Sequence, residues 1–197
     1  STRQIEKNHV EDTYEAVYTK ITEEDVSSLK GLDDFSRVGE YYMLAVEPAE
    51  QGYNASYIYC DEETMYIARD QMKLLEGRLP QKEDEVVVSR YFLSNYGADA
   101  GIGEKVMLSS ESFHGEYTVT GIMEGYKEKE VNGTSILLSK EALKGWSGYD
   151  PADYRAYVHF KNEQQMDETE LTARSREIAK EYQLEMPVMN LSYMKFY

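Results

Sequence analysis

The chain has 197 residues and a net charge of −16, from 21 basic and 37 acidic side chains. This acidic surplus argues against binding to nucleic acid or to anionic lipid, since both need Lys and Arg to neutralise phosphates. Hydrophobic residues make up 41% and charged residues 29% of the chain, as in globular proteins with a buried core, and no apolar run reaches the ~20 residues that cross a bilayer.

The first predicted elements form a strand–helix–strand unit. Residues 1–12 are polar and of mixed charge, and they are predicted to form an N-terminal stalk. A strand over residues 14–21 leads to Thr22, a hydroxyl cap followed by three acidic residues, which predicts a helix that ends at Gly31. A second strand over 35–46 ends before Pro48. The three elements together predict a βαβ-like unit.

The next predicted elements are mostly strands. A third strand covers residues 53–60, and residues 64–75 are predicted as a mixed connection that becomes helical from Ala68. Residues 85–88 form a buried strand, after which Ser89 caps a short helix. Gly97 is expected to end this helix in a left-handed conformation. Two further strands are predicted over 105–109 and 116–122.

A charged hairpin arm is predicted over residues 126–134, because Asn132-Gly133 is a strong hairpin turn sequence. It leads to a strand over 136–138 and to a one-turn helix between Ser139 and Gly145. The run S-G-Y-D-P-A at 147–152 is typical of a lobe boundary.

The last part of the chain alternates between apolar and polar residues before its longest helix. In the strand over 154–160, Tyr154, Ala156, Val158 and Phe160 share one face, and Arg155, Tyr157 and His159 share the other. The helix over 163–182 carries an apolar stripe of Leu171, Ile178 and Tyr182, with a Glu170–Arg174 pair one turn apart. A final strand is predicted over 185–191.

These elements predict an α+β fold of two lobes. After the stalk, residues 13–75 plus 150–197 form a discontinuous α/β lobe of βαβ-like units. Residues 76–149 form a mostly-β lobe inserted between its two segments. Both chain ends therefore belong to the same lobe.

No catalytic, cofactor-binding or metal-binding residue is predicted. The three histidines, His9, His114 and His159, lack zinc-site spacing, and His159 is expected to be solvated. There is no G-x-S-x-G motif for a serine nucleophile. Residues 101–105 are not a phosphate loop, because Lys105 precedes Val rather than Ser or Thr.

Several other residues have a structural and a functional interpretation. Cys60, the single cysteine, is expected to be a buried inert thiol, and Arg78 a solvated turn charge. The acidic runs 61–63 and 83–85 lack the spacing of a calcium loop and are expected to be solvated turns. The 18 tyrosines are mainly strand residues, although five of them could line a sugar- or peptide-binding face; these are Tyr41, Tyr42, Tyr57, Tyr59 and Tyr66.

An ordered set of short motifs resembles one protein family. The set consists of Glu76-Gly77-Arg78 and of residues 85–89, 101–108 and 117–122. In this order and spacing it is similar to the extracytoplasmic core domain of MacB-like and FtsX-like ABC-transporter permeases. One departure is Ile102-Gly103-Glu104, where the family usually has Val-Gly-Asp.

The resemblance implies a non-enzymatic domain outside a bacterial cell membrane, of Gram-positive type, that couples ATP hydrolysis by a cytoplasmic partner subunit to conformational change. It implies an excised piece of a longer chain with membrane helices on both sides, a second permease protomer, and an extracellular peptide or protein as further partners. The cargo would be peptide, lipid or lipoprotein, or the domain would regulate partner proteins. Two alternatives stay open: a surface adhesion or ligand-binding module with a Tyr-rich face, and an α+β enzyme without a recognisable motif.

Overall fold

A computed structural model describes residues 13–190, so the predicted stalk over 1–12 lies outside the described residues. The strands are β1 (Ala16–Ile21), β2 (Phe35–Pro48), β3 (Asn54–Cys60), β4 (Met72–Gly77), β5 (Glu85–Ser89), β6 (Lys105–Ser109), β7 (His114–Gly125), β8 (Gly133–Leu138), β9 (Tyr154–Phe160) and β10 (Val188–Met189). The helices are α1 (Glu23–Lys30), α2 (Glu62–Ile67), α3 (Arg90–Asn95), α4 (Glu128–Val131), α5 (Lys140–Gly145) and α6 (Glu168–Glu181), with a short 3₁₀-helix at Glu163–Gln165. Among residues 13–190, no helix is long and apolar enough to span a membrane.

The described chain divides into two compact units. Unit 1 contains residues 13–41, 66–68 and 150–190, and unit 2 contains residues 42–65 and 69–149. The chain thus leaves unit 1 within β2, touches it again at residues 66–68, and returns to it after residue 149, inside the run 147–152. The observed units differ from the predicted lobes in the segment before residue 76. Residues 54–58 pair with β8 and residues 72–77 pair with β7, so hydrogen bonds join this segment to unit 2.

Unit 1 is a four-stranded antiparallel sheet in the order β10-β1-β9-β2. The parallel strands β1 and β2 are joined by α1 and separated by β9. In the same way, β9 and β10 are joined by α6 and separated by β1. Two such split βαβ units form a ferredoxin-like arrangement, and the whole of unit 2 occupies the connection between β2 and β9.

The core of unit 1 lies between this sheet and its helices. Tyr154, Ala156, Val158 and Phe160 are all buried, as the alternating pattern predicts. Helix α1 buries Val26 and Leu29, and α6 buries Leu171 and Ile178. Thr22 closes the predicted capping box with Asp25, which fixes where α1 begins.

Unit 2 is a mixed sheet in the order β2-β3-β8-β5-β7-β4, with β6 also paired to β7. The β3–β8 and β5–β7 pairs are parallel, whereas β5–β8, β4–β7 and β6–β7 are antiparallel. Every residue of β5 is buried, because this strand lies inside the sheet. The predicted α+β class is confirmed by this combination of sheets and helices.

The connection over residues 64–75 differs from the prediction. Helix α2 begins at Glu62, ahead of the expected Ala68, because the Asp61 carboxylate accepts hydrogen bonds from the amide and hydroxyl of Thr64, both at 2.9 Å. The Asp61 side chain thus acts as the cap of α2, and β3 ends at Cys60 as predicted. Residues 72–75, predicted as helical, belong to β4 on the edge of the sheet.

The predicted hairpin at Asn132-Gly133 is wrong. Lys127 and Asn132 both have left-handed backbone conformations and bracket the one-turn helix α4. Strand β8 then begins at Gly133 and pairs with β3 and β5 rather than with β7. Because β5 is already paired with β7, the chain must cross over it, which a two-residue hairpin cannot do.

Three smaller differences concern element ends. Gly97 follows α3 as predicted, but Ala98 and Asp99 are the left-handed residues there. Gly97 is instead needed for close packing, since a Cβ atom at this position would lie 2.9 Å from Leu93 Cα. Helix α6 begins at Glu168, because the Asp167 side chain caps it, and β10 has only two of the seven residues predicted.

Candidate functional site

The two ends of the described chain lie side by side at one edge of unit 1. Ala16 of β1 is directly opposite Met189 of β10 in an antiparallel pair. The amide of Asn190 donates to the carbonyl of Glu15 at 2.8 Å, and its side-chain amide donates to the carbonyl of Tyr14 at 2.9 Å. Because the paired strands run in opposite directions, the chain enters and leaves unit 1 at the same place.

A buried acid–base pair lies at this junction. Glu15 Oε2 is 2.7 Å from His159 Nδ1, and Glu15 Oε1 accepts the amide N–H of Phe160 at 2.7 Å. The Glu15 side chain is 0% exposed and the His159 side chain is 7% exposed. Burial raises the pKa of Glu15, and the bond to His159 opposes part of that rise. His159 is therefore not the solvated residue that the sequence predicts.

Two side-chain contacts brace unit 1 behind this junction. Arg174 of α6 binds Asp34 with two hydrogen bonds of 2.7 and 2.9 Å, a bidentate geometry that is strong and directional. The guanidinium holds the pKa of Asp34 below its usual value. The hydroxyl of Tyr18 in β1 donates to the carbonyl of Ser175 in α6 at 2.8 Å. Strand β1 and helix α6 are thus held together as one rigid body.

The motif residues of unit 2 bind one another. Arg78 donates to both carboxylate oxygens of Glu85 at 3.1 and 2.7 Å, and the amides of Gln81 and Lys82 donate to Glu85 Oε1 at 2.9 Å. These bonds lower the pKa of Glu85 to about 2, with the Arg78 contribution largest. Arg78 is 49% exposed, in keeping with the predicted turn charge, but its guanidinium is paired with the nearly buried Glu85 across the turn between β4 and β5.

The same turn is fastened to β7. The amide of Arg78 donates to the carbonyl of Thr120 at 2.9 Å, and the Thr120 hydroxyl donates back to the Arg78 carbonyl at 3.0 Å. Gly77 has a φ of +79°, and a Cβ atom there would overlap the Thr120 carbonyl oxygen. The Gly-Arg-x-Pro turn and the Glu-Val-Val-Val-Ser strand that follows it thus hold β4, β5 and β7 together. Their contacts are structural.

Ser89 is the centre of a second buried network. Its hydroxyl accepts the amide of Phe92, which caps α3 as predicted, and donates to Glu128 Oε2 at 2.6 Å. Thr134 Oγ1 lies 3.1 Å from the same hydroxyl. A Cβ atom at Gly125 would clash with the Glu128 side chain, so the glycine makes room for this carboxylate. The network joins the start of α3 to α4 and β8.

The remaining candidates for chemistry are structural or isolated. Cys60 is fully buried, and burial raises the pKa of its thiol, which fits the predicted inert role. Among residues 13–190, no three His, Cys, Asp or Glu side chains are close enough to hold a metal ion. The acidic runs contribute a helix cap at Asp61 and the buried Glu85, so neither is only a solvated turn.

The five tyrosines of the suggested binding face do not form one face. Tyr41 belongs to unit 1, whereas Tyr42 and Tyr57 belong to unit 2, and all three are buried. The Tyr57 hydroxyl donates to Ser110 Oγ at 2.6 Å inside the core. Tyr66 is 38% exposed, and the Arg37 guanidinium lies 4.0 Å from its ring centroid. Three of the five tyrosines are therefore core residues, which leaves little of the suggested Tyr-rich binding surface.

An acidic cleft of about 660 Å³ lies on unit 2. It is lined by Lys82, Glu83, Asp84, His114, Gly115, Glu116, Tyr117 and Glu141. His114 and Glu50 are both exposed, and the Glu50 carboxylate is 3.6 Å from the His114 imidazole. Four carboxylates around an open cleft concentrate negative potential there, in keeping with the net charge of the chain.

The sequence interpretation missed the residues that join the chain ends. Glu15 and His159 are 144 positions apart, and Asn190 is 176 positions from Tyr14. No local pattern marks such pairs. The only local sign of the buried pair is the polar residue Glu15 directly before an apolar strand. Such a residue also occurs at many surface positions.

The fold is similar to those of three solved domains. The extracellular domain of the noncanonic ABC-type transporter YknZ from Gram-positive bacteria matches with a TM-score of 0.61 and 14% identity, over 88% of this chain and 97% of that one. The periplasmic region of MacB from Actinobacillus actinomycetemcomitans matches with a TM-score of 0.59 and 11% identity, over 91% and 89%. A domain of a protein described as a permease, from Porphyromonas gingivalis, matches with a TM-score of 0.54 and 14% identity, over 86% and 84%.

No protein-family model and no curated protein matches the sequence. At identities of 11–14%, the similarity shows a shared fold that extends over nearly the whole of each compared domain. The resemblance that the motifs indicate is confirmed at this level.

Proposed function

We propose that this chain is the extracytoplasmic domain of an ABC-transporter permease subunit and that it carries movement between the membrane helices of its full-length chain and the space outside the membrane. The observation that carries this proposal is the antiparallel pairing of β1 with β10, which brings both chain ends to one edge of unit 1. A domain inserted between two membrane helices needs its ends together, and the fold is that of domains from such transporters.

The contacts behind the junction suit a part that transmits force. When a membrane helix moves, the strand attached to it moves, the Tyr18–Ser175 bond draws α6 along, and the Arg174–Asp34 bonds connect α6 to the segment before β2. Unit 1 therefore shifts as a body rather than stretching at its ends. A rigid-body shift of a domain is a common way to pass a conformational change over distance.

In this proposal the domain is non-catalytic. ATP is hydrolysed by a separate cytoplasmic subunit, because the sequence has no phosphate loop. The domain lies on the outer face of a bacterial cell membrane of Gram-positive type and works beside a second permease protomer. Its cargo or partner is an extracellular peptide, lipid, lipoprotein or protein.

The location is tested by thiol labelling of the full-length protein in intact cells. The native Cys60 is buried, so a cysteine placed at the exposed Glu111 (Glu111→Cys) adds an accessible thiol to this domain, and the unsubstituted full-length protein gives the background labelling. A membrane-impermeant maleimide should label it without cell lysis. Labelling that appears only after lysis would contradict the extracytoplasmic placement.

The coupling is tested by lengthening the connections at the chain ends. Flexible Gly-Ser inserts placed outside both β1 and β10 should reduce transport while the domain stays folded, because a slack chain passes on little force. The control is an insert of equal length between Glu111 and Ser112, in the turn between β6 and β7, where loops tolerate additions. Equal activity of the two insertion variants would refute the mechanical role.

A further inference from the structure

Glu15 is held by β9 and by the chain end at the same time. Its amide donates to the carbonyl of Val158 at 3.0 Å, and its carbonyl accepts the amide of Asn190 at 2.8 Å. Its carboxylate contacts His159 Nδ1 and the amide of Phe160, each at 2.7 Å. A change in the protonation of the Glu15 side chain therefore affects the hydrogen bonds at the place where the chain enters and leaves unit 1.

The charged groups around this pair come from two further segments. Glu163, in the 3₁₀-helix after β9, is buried, and its negative charge acts on Glu15. Arg37 of β2 is directly opposite His159 in the strand register, so the two side chains share a face of the sheet. The Arg37 guanidinium lies over the ring of Tyr66, 4.0 Å from its centroid.

We propose that Glu15 and His159 form a protonation-sensitive latch on the strands at the two ends of the described chain. In the protonated state, the pair carries one proton in addition to the one on the neutral imidazole. That proton lies either on His159, as a carboxylate beside an imidazolium, or on Glu15, as a carboxylic acid beside an imidazole. In both forms the pair has no net charge. When that proton leaves, a carboxylate remains buried beside a neutral imidazole and near Glu163. The edge formed by β1 and β10 then opens more often.

The direction of the pH dependence follows from burial. A buried carboxylate without a compensating charge is strongly unfavourable, and the pKa of Glu15 is accordingly raised above 4.5. The folded state then holds the proton more tightly than the unfolded chain does. This contribution to stability is full below the ordinary Glu pKa and is lost as the pH rises through the folded value.

Amide hydrogen exchange of the purified chain tests the latch. Rates from pH 4 to pH 9, corrected for the intrinsic effect of pH, should show that the Asn190 and β1 amides lose protection as the pH rises above the range in which an ordinary Glu titrates. The protection factors are expected to fall by about tenfold for each pKa unit by which the folded and open states differ in proton affinity. The helices of unit 1 should change less, because the latch acts on the sheet edge.

Two variants separate the latch from general effects of charge. In Glu15→Gln, the side-chain oxygen still accepts from Phe160 and the amide donates to neutral His159, so protection should no longer depend on pH. The matched control is Glu50→Gln, which removes the exposed carboxylate 3.6 Å from His114 and should keep the wild-type profile. A flat wild-type profile, or a pH dependence that survives in Glu15→Gln, would overturn the proposal.

A second measurement serves if Glu15→Gln does not fold. The imidazole resonances of His159 and His114 in the wild-type chain can be followed by NMR over the same pH range. The proposal expects His159 to titrate together with the loss of protection at Asn190. If the His159 resonances do not change with pH, or change without any loss of protection at Asn190, the latch does not exist. This result leaves the transporter proposal untouched, because neither test involves transport.

Discussion

Replacing Glu85 by Gln should destabilise unit 2 more than any other single charge change in its turns. The carboxylate accepts four hydrogen bonds, two from the Arg78 guanidinium and one each from the amides of Gln81 and Lys82. Its side chain is only 9% exposed. Gln has nearly the same shape, but it carries no charge and presents an NH₂ group to one of these donors.

The magnitude follows from the bonds that are lost. Hydrogen bonds to a charged group contribute about 1.5–3 kcal/mol, and a buried donor left without a partner adds its own cost. We expect Glu85→Gln to lower the free energy of unfolding by about 2–3 kcal/mol. For a chain of this length that corresponds to a fall in Tm of roughly 4–12 °C.

Thermal and urea unfolding followed by circular dichroism would measure this change. The control is Glu83→Gln, which removes an exposed carboxylate from the same turn and should cost less than about 0.5 kcal/mol. Because the pKa of Glu85 is about 2 in the folded state, its contribution is full above the ordinary value of 4.5 and is lost as the pH falls through 2. The difference between wild type and Glu85→Gln should therefore shrink between pH 5 and pH 2. Equal stability of the two variants at pH 7, or a difference that does not change with pH, would refute the reasoning.

Three further predictions concern single positions. Gly77→Ala should cost about 3 kcal/mol, well above the roughly 1 kcal/mol of Gly52→Ala, because both glycines have positive φ but only at Gly77 would a Cβ meet the facing strand; equal losses in urea unfolding would contradict this. Tyr18→Phe should lose about 1 kcal/mol, because the buried hydroxyl bond to the Ser175 carbonyl is removed, and an unchanged Tm would show that the bond contributes nothing. Cys60 should react with a maleimide only in step with unfolding, and rapid labelling of the native chain would contradict its burial.

The strand and helix signals that the sequence carries are local, and most of them predict the observed elements. Thr22, Ser89 and Ser139 each accept the hydrogen bond expected of a helix cap, since a cap depends only on residues three positions away. The alternating residues of β9 are buried on the expected face. The confirmed resemblance rests on the same kind of short-range order.

The wrong predictions are those in which a distant partner decides. Asn132-Gly133 has the sequence of a hairpin turn, but β5 occupies the place next to β7, and β8 must pair beyond it. His159 lies on the strand face that the alternating pattern leaves to solvent, but Glu15, 144 positions away, is 2.7 Å from its Nδ1 atom. In both cases a partner far along the chain decides the structure.

By itself, the sequence determined the class of the fold, the interrupted layout of the first unit and the family of domains that it resembles, because periodicity, capping and motif order all act over a few residues. The three-dimensional packing alone decided that the chain ends share one edge of a sheet and that Glu15 meets His159 there. Those contacts join residues more than 140 positions apart. Only the folded chain can bring such groups together and exclude the water that would otherwise solvate them.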